Sequence, residues 1–325
     1  MKGLARLVAA ATLAAGQAAA AWTYEGKWGW NGTGDGEFDS PADCALAPSG
    51  DVVYVSDLGN DRIQYFTRDG SFLGKWNATG GASGRFNRPR GVAVATNGTV
   101  YVVDEGNNRV QYFTATGYYL GGWGRYGMGH GQFMAPNRVA VAPYAGTVYV
   151  SDYGNDRVQI FTPNGSYAGE WGTEGSANGQ FIWPTGIGVA HATGRVYVAD
   201  YGNDRVQYFT PGGSFIGKWG ATGNGNGQFN GPTGVAVAAD TGYVYVSDLD
   251  NARVQYFTRA GSYLGRFGAV GFGNGQFDRP QGLAFSPACS RIYVVDAGND
   301  RVQYFNRNEP AVEPASLGRV KALFK

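Results

Sequence analysis

The sequence predicts an all-β protein, a six-bladed β-propeller whose blades are four-stranded antiparallel sheets. Glycine is abundant (54 of 325 residues) and aromatic residues make up 14%, whereas charged residues make up only 16%. One aspartate-containing segment recurs six times, at intervals of 47 or 48 residues. Each interval has room for four short strands joined by glycine-rich turns, which is the organisation of a propeller blade.

The recurring segment consists of a strand, a tight turn and a second strand. Its first copy, VYVSDLGNDRIQYF, begins at Val53 and has the alternation that is typical of strands. A phenylalanine three residues before a proline keeps the same spacing, and the proline precedes an inner strand such as GVAVA. A fourth strand of the type SFLGKW follows the segment. The six repeated aspartates are Asp57, Asp104, Asp152, Asp200, Asp248 and Asp296.

This combination, D-x-G-N-x-R-V-Q-x-F preceded by P-x-G-V-A-V, resembles the NHL-repeat family of propellers. The resemblance covers residues 22–305 and implies a six-bladed ring. The sixth copy lacks its fourth strand, and WTYEGKW at Trp22–Trp28 has the sequence of that strand. We therefore predict that the N-terminal strand completes the last blade, which removes a free sheet edge.

The chain is predicted to have three parts. Residues 1–21 have the features of a secretory signal peptide, because Lys2 and Arg6 precede an apolar core and an alanine-rich cleavage site. Residues 22–305 form the propeller and residues 306–325 a C-terminal tail. No apolar run is long enough to remain as a membrane span. We therefore expect a secreted protein, extracellular or at the cell surface.

Charge argues against a nucleic-acid partner. The formal net charge is +1, and loss of Lys2 and Arg6 with the signal peptide lowers it to −1. Nucleic-acid binding depends on clustered cations, and the sequence has no such cluster.

Four N-x-[ST] sequons in glycine-rich loops predict N-glycosylation of a secreted chain. The expected acceptors are Asn31, Asn77, Asn97 and Asn164.

The repeated aspartate and arginine have a structural interpretation. Asp57 with Arg62 and Asp200 with Arg205 place a carboxylate and a guanidinium at the two ends of a tight turn, where a charge-assisted hydrogen bond stabilises the turn. A residue that occurs in every blade is expected to specify the fold, whereas a functional site breaks the symmetry. We therefore look for function at the positions that differ between blades.

The sequence offers few residues for catalysis. His130 and His191 fall in loops on opposite faces of a propeller. The family resemblance includes a peptidylglycine amidating lyase with histidine-bound zinc, and two separated histidines do not build that site. Lactonase-like propellers need several carboxylates at the channel, and Asp43 is the main candidate once the repeated aspartates are set aside. We therefore predict no catalytic residue, metal or cofactor, and not an enzyme.

Positions that vary between blades predict a binding face at one end of the channel. Exposed aromatic residues beside arginines are typical of protein interfaces, and they also suit stacking against sugar rings. The expected function is a non-catalytic extracellular module that binds a protein or glycan partner, with ordinary loop variation as the competing explanation. The candidate residues are Met134, Tyr153, Ile182, Trp183, Tyr201, Leu249, Asp43, Arg88, Arg90, Glu105 and Arg138.

Two alternative functions remain open. Residues 316–320 in the tail faintly resemble the fourth strand, so the chain could pair with a neighbour's sheet edge and form an extracellular polymer. A lyase or hydrolase with a site at the channel mouth is the second alternative. Cys44 and Cys289 align about 16 Å apart along their strands, too far for a disulfide. Cys289 is expected to be an exposed turn thiol that could form an intermolecular link.

Overall fold

The computed structural model describes residues 22–76 and 80–308 and contains six four-stranded antiparallel sheets. Each sheet is one blade of a propeller. The inner strand of every blade contacts the inner strands of the two neighbouring blades, so the sheets form a closed ring. The predicted fold class and blade number are confirmed. Residues 1–21 and 309–325, with Asn77 and its two successors, lie outside the described residues, and so do the predicted signal peptide and most of the predicted tail.

The first three blades follow one another along the chain, each starting at the inner strand. The chain begins with strand β1 (Trp22–Trp28), which does not belong to them. Blade 1 contains β2 (Pro41–Leu46), β3 (Val52–Asp57), β4 (Arg62–Thr67) and β5 (Phe72–Trp76); blade 2 contains β6 (Pro89–Val94), β7 (Val100–Asp104), β8 (Arg109–Phe113) and β9 (Tyr119–Trp123); blade 3 contains β10 (Pro136–Val141), β11 (Val148–Asp152), β12 (Arg157–Phe161) and β13 (Tyr167–Trp171).

The last three blades repeat this order, and the sixth takes its outer strand from the N-terminus. In blade 6, β1 pairs antiparallel with β24, from Trp22 opposite Arg307 to Trp28 opposite Val302, which confirms the predicted closure. Blade 4 contains β14 (Pro184–Val189), β15 (Val196–Asp200), β16 (Arg205–Phe209) and β17 (Phe215–Trp219); blade 5 contains β18 (Pro232–Val237), β19 (Val244–Asp248), β20 (Arg253–Phe257) and β21 (Tyr263–Phe267); blade 6 contains β22 (Pro280–Phe285), β23 (Arg291–Asp296) and β24 (Arg301–Arg307).

Helical structure in the described residues is confined to short turns between the second and third strands of four blades. No helix in this part of the chain is long and apolar enough to cross a membrane. The turns are 3-10 helices at Glu105–Asn107, Tyr153–Asn155, Tyr201–Asn203 and Ala297–Asn299.

The hydrophobic core lies between blades rather than inside any one of them. In the cluster between blades 4 and 5, Tyr197 and Val206 of one blade pack with Val246 and Phe257 of the next. Trp219 on the outer strand of blade 4 also contacts Phe257, with ring centroids 5.4 Å apart. A single blade therefore cannot bury its apolar faces alone, and the ring folds as one unit.

The repeated arginine is saturated with hydrogen bonds, as the structural interpretation predicts. In blade 4, Arg205 Nε donates to Asp200 Oδ2 at 2.6 Å. Its Nη1 donates to the carbonyl of Ser176, and its Nη2 donates to the carbonyls of Ala177 and Gln180. The guanidinium therefore joins the turn to the loop that precedes the inner strand.

The cysteines require a correction. Both are free and buried. Cys289 was expected at the surface, but it is only 2% exposed and packs with Ala238 and Tyr245 between blades 5 and 6. Its Sγ accepts a hydrogen bond from the backbone N–H of Ala239 at 3.2 Å. Its neighbours Ala288 and Ser290 are exposed, but the Cys289 side chain is directed into the core, so the expected intermolecular link lacks an accessible thiol.

Candidate functional site

The inner strands surround a central channel, and the residue that follows each strand-initial proline stands at one mouth of it. In five blades this residue lines a single cavity. Because the position is equivalent in every blade, differences in its side chain give the mouth its chemical character. The five residues are Arg90, Asn137, Thr185, Thr233 and Gln281.

The next residue along each inner strand is glycine in four blades. A Cβ on Gly186 would lie 2.2 Å from the carbonyl oxygen of Thr233 on the adjacent strand, so the strands are too close for a side chain there. Blades 1 and 3 are the exceptions, with Asp43 and Arg138 at this position. Two charged side chains therefore occupy a layer of the channel that otherwise contains none. The four glycines are Gly91, Gly186, Gly234 and Gly282.

Asp43 and Arg138 form a buried ion pair across the channel. Arg138 Nε lies 3.4 Å from Asp43 Oδ2, and the two side chains are 5% and 9% exposed respectively. Arg138 Nη2 donates to the carbonyl of Ala42 at 2.8 Å, whereas its Nη1 has no acceptor among the described residues. Burial raises the pKa of Asp43, and the positive charge of Arg138 only partly offsets that rise. Burial lowers the pKa of Arg138. This guanidinium is thus far less satisfied than Arg205.

A cavity of about 320 Å³ lies at the mouth of the channel and shares Arg138 with a smaller cavity that Asp43 lines. On its wall, Arg90 Nε donates to Glu105 Oε2 at 2.7 Å, while Glu105 Oε1 has no donor among the described residues. The cavity is also lined by Tyr153 and Tyr201, and burial raises the pKa of Tyr153. The site therefore combines a carboxylate, two phenols and cationic groups.

Neutral hydrogen-bonding groups complete the wall. Asn137 is only 6% exposed, and its side-chain amide makes no hydrogen bond within the described part of the chain. The hydroxyls of Thr185 and Thr233 are already used, because they donate to the carbonyls of Pro232 and Pro280. Of these three side chains, the Asn137 amide is therefore the one that is free to bind a ligand.

The structure brings most of the predicted site residues together. Leu249 is buried and adds the apolar part of the lining. Asp43 lies beneath the cavity, where it pairs with Arg138. The predicted residues that line the cavity are Arg90, Glu105, Arg138, Tyr153, Tyr201 and Leu249.

Four predicted residues lie outside the cavity. Met134 and Ile182 contact the turn glycines of their own blades, Gly154 and Gly202, and are partly buried. Trp183 is exposed and stacks on the outer side of the site against Tyr153, with ring centroids 5.9 Å apart. Arg88 is at the rim, with Nε 4.0 Å from Glu105 Oε2.

Several residues that line the cavity were not among those predicted from the sequence. Asn137 and Gln281 follow the repeated proline, whereas Ala135 and Arg279 precede it. A column-by-column comparison of the six copies around that proline could have found them, because these columns vary while the prolines do not. Arg279 has a left-handed backbone (φ 54°), as the residue before the proline has in the other blades.

The histidines do not reach the cavity. His130 Nδ1 lies 3.4 Å from Glu170 Oε2, and its ring contacts Tyr167. His191 contacts Tyr144 at the opposite mouth of the channel. The described residues contain no group of three or more His, Cys, Asp or Glu side chains that could hold a metal ion. The zinc site that the lyase resemblance implies therefore does not fit these residues.

The three described sequons lie away from the cavity, at exposed asparagines. Asn97 and Asn164 stand in turns, and Asn31 Nδ2 donates to Asp300 Oδ2 at 3.0 Å across the seam between blades 1 and 6. Asn77 lies outside the described residues. A glycan on Asn31 would be attached to the same nitrogen that makes this hydrogen bond.

The fold and its cavity define a β-propeller with a polar site at one mouth of the channel. Three segments of the chain match the family model described as NHL repeat, at residues 86–113, 181–209 and 229–257. The chain therefore contains NHL repeats within a six-bladed β-propeller, which confirms the motif resemblance. Among curated proteins, no sequence matches the chain.

Solved structures share the fold. A gluconolactonase from Xanthomonas campestris is 16% identical with a TM-score of 0.63, and the match covers 83% of this chain and 87% of that one. A structural-genomics target described as a candidate gluconolactonase is 18% identical with a TM-score of 0.61 (90% and 93% covered). A catalytically inactive histidine-to-alanine variant of virginiamycin B lyase from Staphylococcus aureus, solved with quinupristin, is 13% identical with a TM-score of 0.57 (85% and 82% covered).

These neighbours correct the expectation of a non-catalytic scaffold that is not an enzyme. The solved propellers that share the fold are described as gluconolactonases and a lyase, and they favour the hydrolase-or-lyase alternative instead. Identities of 18% or less show the fold alone. The expectation took Asp43 as the main channel carboxylate, whereas Glu105 also lines the cavity at the mouth of the channel.

Proposed function

We propose that the chain is a hydrolase that opens a small polar lactone in the cavity at the channel mouth. One observation carries the proposal: Glu105, with one free carboxylate oxygen, lines the same cavity as the unpartnered amide of Asn137. A base and a hydrogen-bond donor around one polar cavity are the minimum that ester hydrolysis requires. The likeness to gluconolactonase structures supports the reaction class.

Glu105 would act as the general base. Arg90 binds Oε2 and so orients the carboxylate, which leaves Oε1 to accept a proton from water. The oxygen of that water attacks the lactone carbonyl carbon, and the carbonyl electron pair moves onto oxygen. The side-chain amide of Asn137, which has no competing acceptor, would donate to this oxyanion.

Ring opening completes the reaction. The oxyanion re-forms the carbonyl, the bond to the ring oxygen breaks, and the departing alkoxide takes the proton held by Glu105. The product is a hydroxy acid. Tyr153 and Tyr201 line the cavity with phenol hydroxyls that make no hydrogen bond within the described residues, so they are available to bind substrate hydroxyls.

Lactone hydrolysis is favoured over lyase chemistry of the virginiamycin type. The lyase neighbour is described as inactive once one histidine is replaced. No histidine lines the cavity of this chain among the described residues, because His130 and His191 lie elsewhere.

The test is hydrolysis of glucono-1,5-lactone by the purified protein, followed as acid release against the spontaneous rate. Glu105→Gln keeps the shape and removes the base, so kcat should fall by about 100-fold or more. Glu174→Gln, an exposed carboxylate outside the cavity, is the matched control and should retain full activity. Activity in Glu105→Gln equal to that of the parent protein would refute the mechanism, and no acceleration of any lactone would refute the function. Activity should persist in EDTA, because arginines hold both carboxylates of the site.

We also propose that the chain is secreted and N-glycosylated. The basic start and alanine-rich end of residues 1–21 support secretion, and the exposure of Asn97 and Asn164 supports glycosylation. Expression in a eukaryotic host should give a secreted product that begins near Trp22 and whose mass falls on glycosidase treatment. Retention of the protein inside the cell would contradict this.

A further inference from the structure

The arginines that line the cavity are not equally neutralised. Arg90 is paired with Glu105, and Arg138 is paired with Asp43. Arg279 is exposed and has no ion-pair partner within the described residues. After these pairings, Arg279 carries the uncompensated positive charge of the cavity lining. Arg88 at the rim adds to that charge, because its nearest carboxylate, Glu105, is already paired with Arg90.

The position of Arg279 separates this charge from the proposed base. Arg279 and Gln281 flank the proline that begins the inner strand of blade 6, whereas Glu105 belongs to blade 2. Blade 1 lies between them and has Ala42 at the corresponding position, a side chain without polar groups. The cavity therefore has a base on one side and a free cation with an amide on the other.

The floor of the cavity adds to the positive potential. Arg138 is a buried guanidinium with a single hydrogen bond, to the carbonyl of Ala42, and an ion-pair distance of 3.4 Å to Asp43. The repeated arginines, by contrast, donate several hydrogen bonds each, as Arg205 does. A charge that is weakly compensated in a cleft with low-dielectric walls attracts anions into that cleft.

We propose that the preferred substrate carries a carboxylate in addition to its lactone, and that Arg279 binds this carboxylate. The inference rests on the proposed function and specifies its substrate class: small anionic lactones. The planar guanidinium of Arg279 binds the carboxylate, the side-chain amide of Gln281 adds a hydrogen bond, and the lactone carbonyl is directed toward Glu105.

Two lactones that differ at one carbon test the proposal. Glucaro-1,4-lactone has a free carboxylate where glucono-1,4-lactone has a hydroxymethyl group. The parent protein should show a lower KM for the anionic lactone, and added salt should weaken that preference. Arg279→Gln should reduce the ratio of the two kcat/KM values about tenfold, the size expected for one charged hydrogen bond. Arg125→Gln, an exposed arginine outside the cavity, is the control and should keep the ratio.

A calorimetric binding arm separates this proposal from the proposed function. Each lactone is titrated into Glu105→Gln protein with and without Arg279→Gln. One outcome is that both lactones are hydrolysed with equal kcat/KM, or that Arg279→Gln leaves the ratio of the two kcat/KM values unchanged. That outcome would overturn the anionic substrate class and leave the proposed hydrolase intact. A second outcome is that the anionic lactone binds saturably, that Arg279→Gln abolishes this binding, and that the parent protein turns over neither lactone. That outcome would support the anion site and refute the hydrolase. Absence of both binding and turnover would overturn both.

Discussion

Replacing the ion pair across the channel by the residue found in the other blades tests how the site is built. Four blades have glycine where blades 1 and 3 have Asp43 and Arg138. The variant Asp43→Gly leaves Arg138 buried without its counter-ion, and arginine cannot escape by losing its proton. Removal of one partner from a buried pair costs about 3–5 kcal/mol, so we expect a loss of that size in the free energy of unfolding.

The double variant Asp43→Gly/Arg138→Gly should be much less destabilised. It removes both buried charges and restores a glycine layer that the ring already tolerates at four positions. The expected loss is about 1–2 kcal/mol, from the greater freedom of two glycines in the unfolded chain. The double variant should thus be more stable than Asp43→Gly alone, which gives a large coupling energy in a double-mutant cycle.

The single variant Arg138→Gly should show the opposite pH behaviour to the others. Burial raises the pKa of Asp43 while Arg138 opposes the rise, so loss of the guanidinium raises that pKa further. A carboxyl with a raised pKa in the folded state binds protons more tightly there than in the unfolded chain. Its contribution is therefore retained in acid and lost as pH rises from about 4 through the raised pKa. The deficit of Arg138→Gly should be smallest in acid. The deficit of Asp43→Gly should be largest in acid, because the parent protein loses stability as pH rises through the raised pKa of Asp43 and the variant has no carboxyl there.

Urea unfolding at several pH values measures these quantities, with the midpoint reporting stability as long as the m-value is constant. The parent protein and all three variants are compared in the same buffers. Additive losses in the double variant, or a deficit of Arg138→Gly that is independent of pH, would refute the assignment of a coupled buried pair.

Two further predictions concern buried positions. Cys44 and Cys289 should not react with a thiol reagent in the native protein and should react at once in urea. Burial raises the pKa of both thiols and blocks access of the reagent. Rapid labelling of the native protein would contradict the burial of the two cysteines. Gly217→Ala should clearly lower the urea midpoint of unfolding, since its Cβ would lie 2.5 Å from the Tyr208 hydroxyl. Gly212→Ala is the control and should leave the midpoint unchanged, because its Cβ would meet nothing within 4 Å. Equal midpoints for the two variants would contradict the contact with Tyr208.

The repeated part of the architecture could be predicted from the sequence in detail. The spacing of Asp200 and its counterparts defines the blade, and the match of β1 to a missing fourth strand predicts how the ring closes. The arginine of each repeat bonds within its own blade and to the preceding loop, so its role follows from local sequence. These contacts recur at constant separations along the chain, and a repeating sequence displays them directly.

The candidate site could be predicted only in part. Variable positions around the repeated proline and after the repeated aspartate include Arg90, Glu105 and Tyr201, which line the cavity. The same pattern also selected Met134 and Ile182, which turn aside to cover glycines. Alignment columns define which face a residue occupies, but the direction of its side chain depends on its packing.

By itself, the sequence determined the six-bladed ring, its closure and the structural role of the repeated Asp and Arg. Only the tertiary structure decided that Asp43 meets Arg138 across the channel. It also decided that Arg279 is left without a partner within the described residues. The physical reason is that the ring is stabilised by contacts between adjacent blades, which the repeat encodes, whereas the channel joins blades that are not adjacent in the chain. Contacts across the channel depend on how closely the six inner strands approach the channel axis. The sequence of a single repeat does not determine that distance.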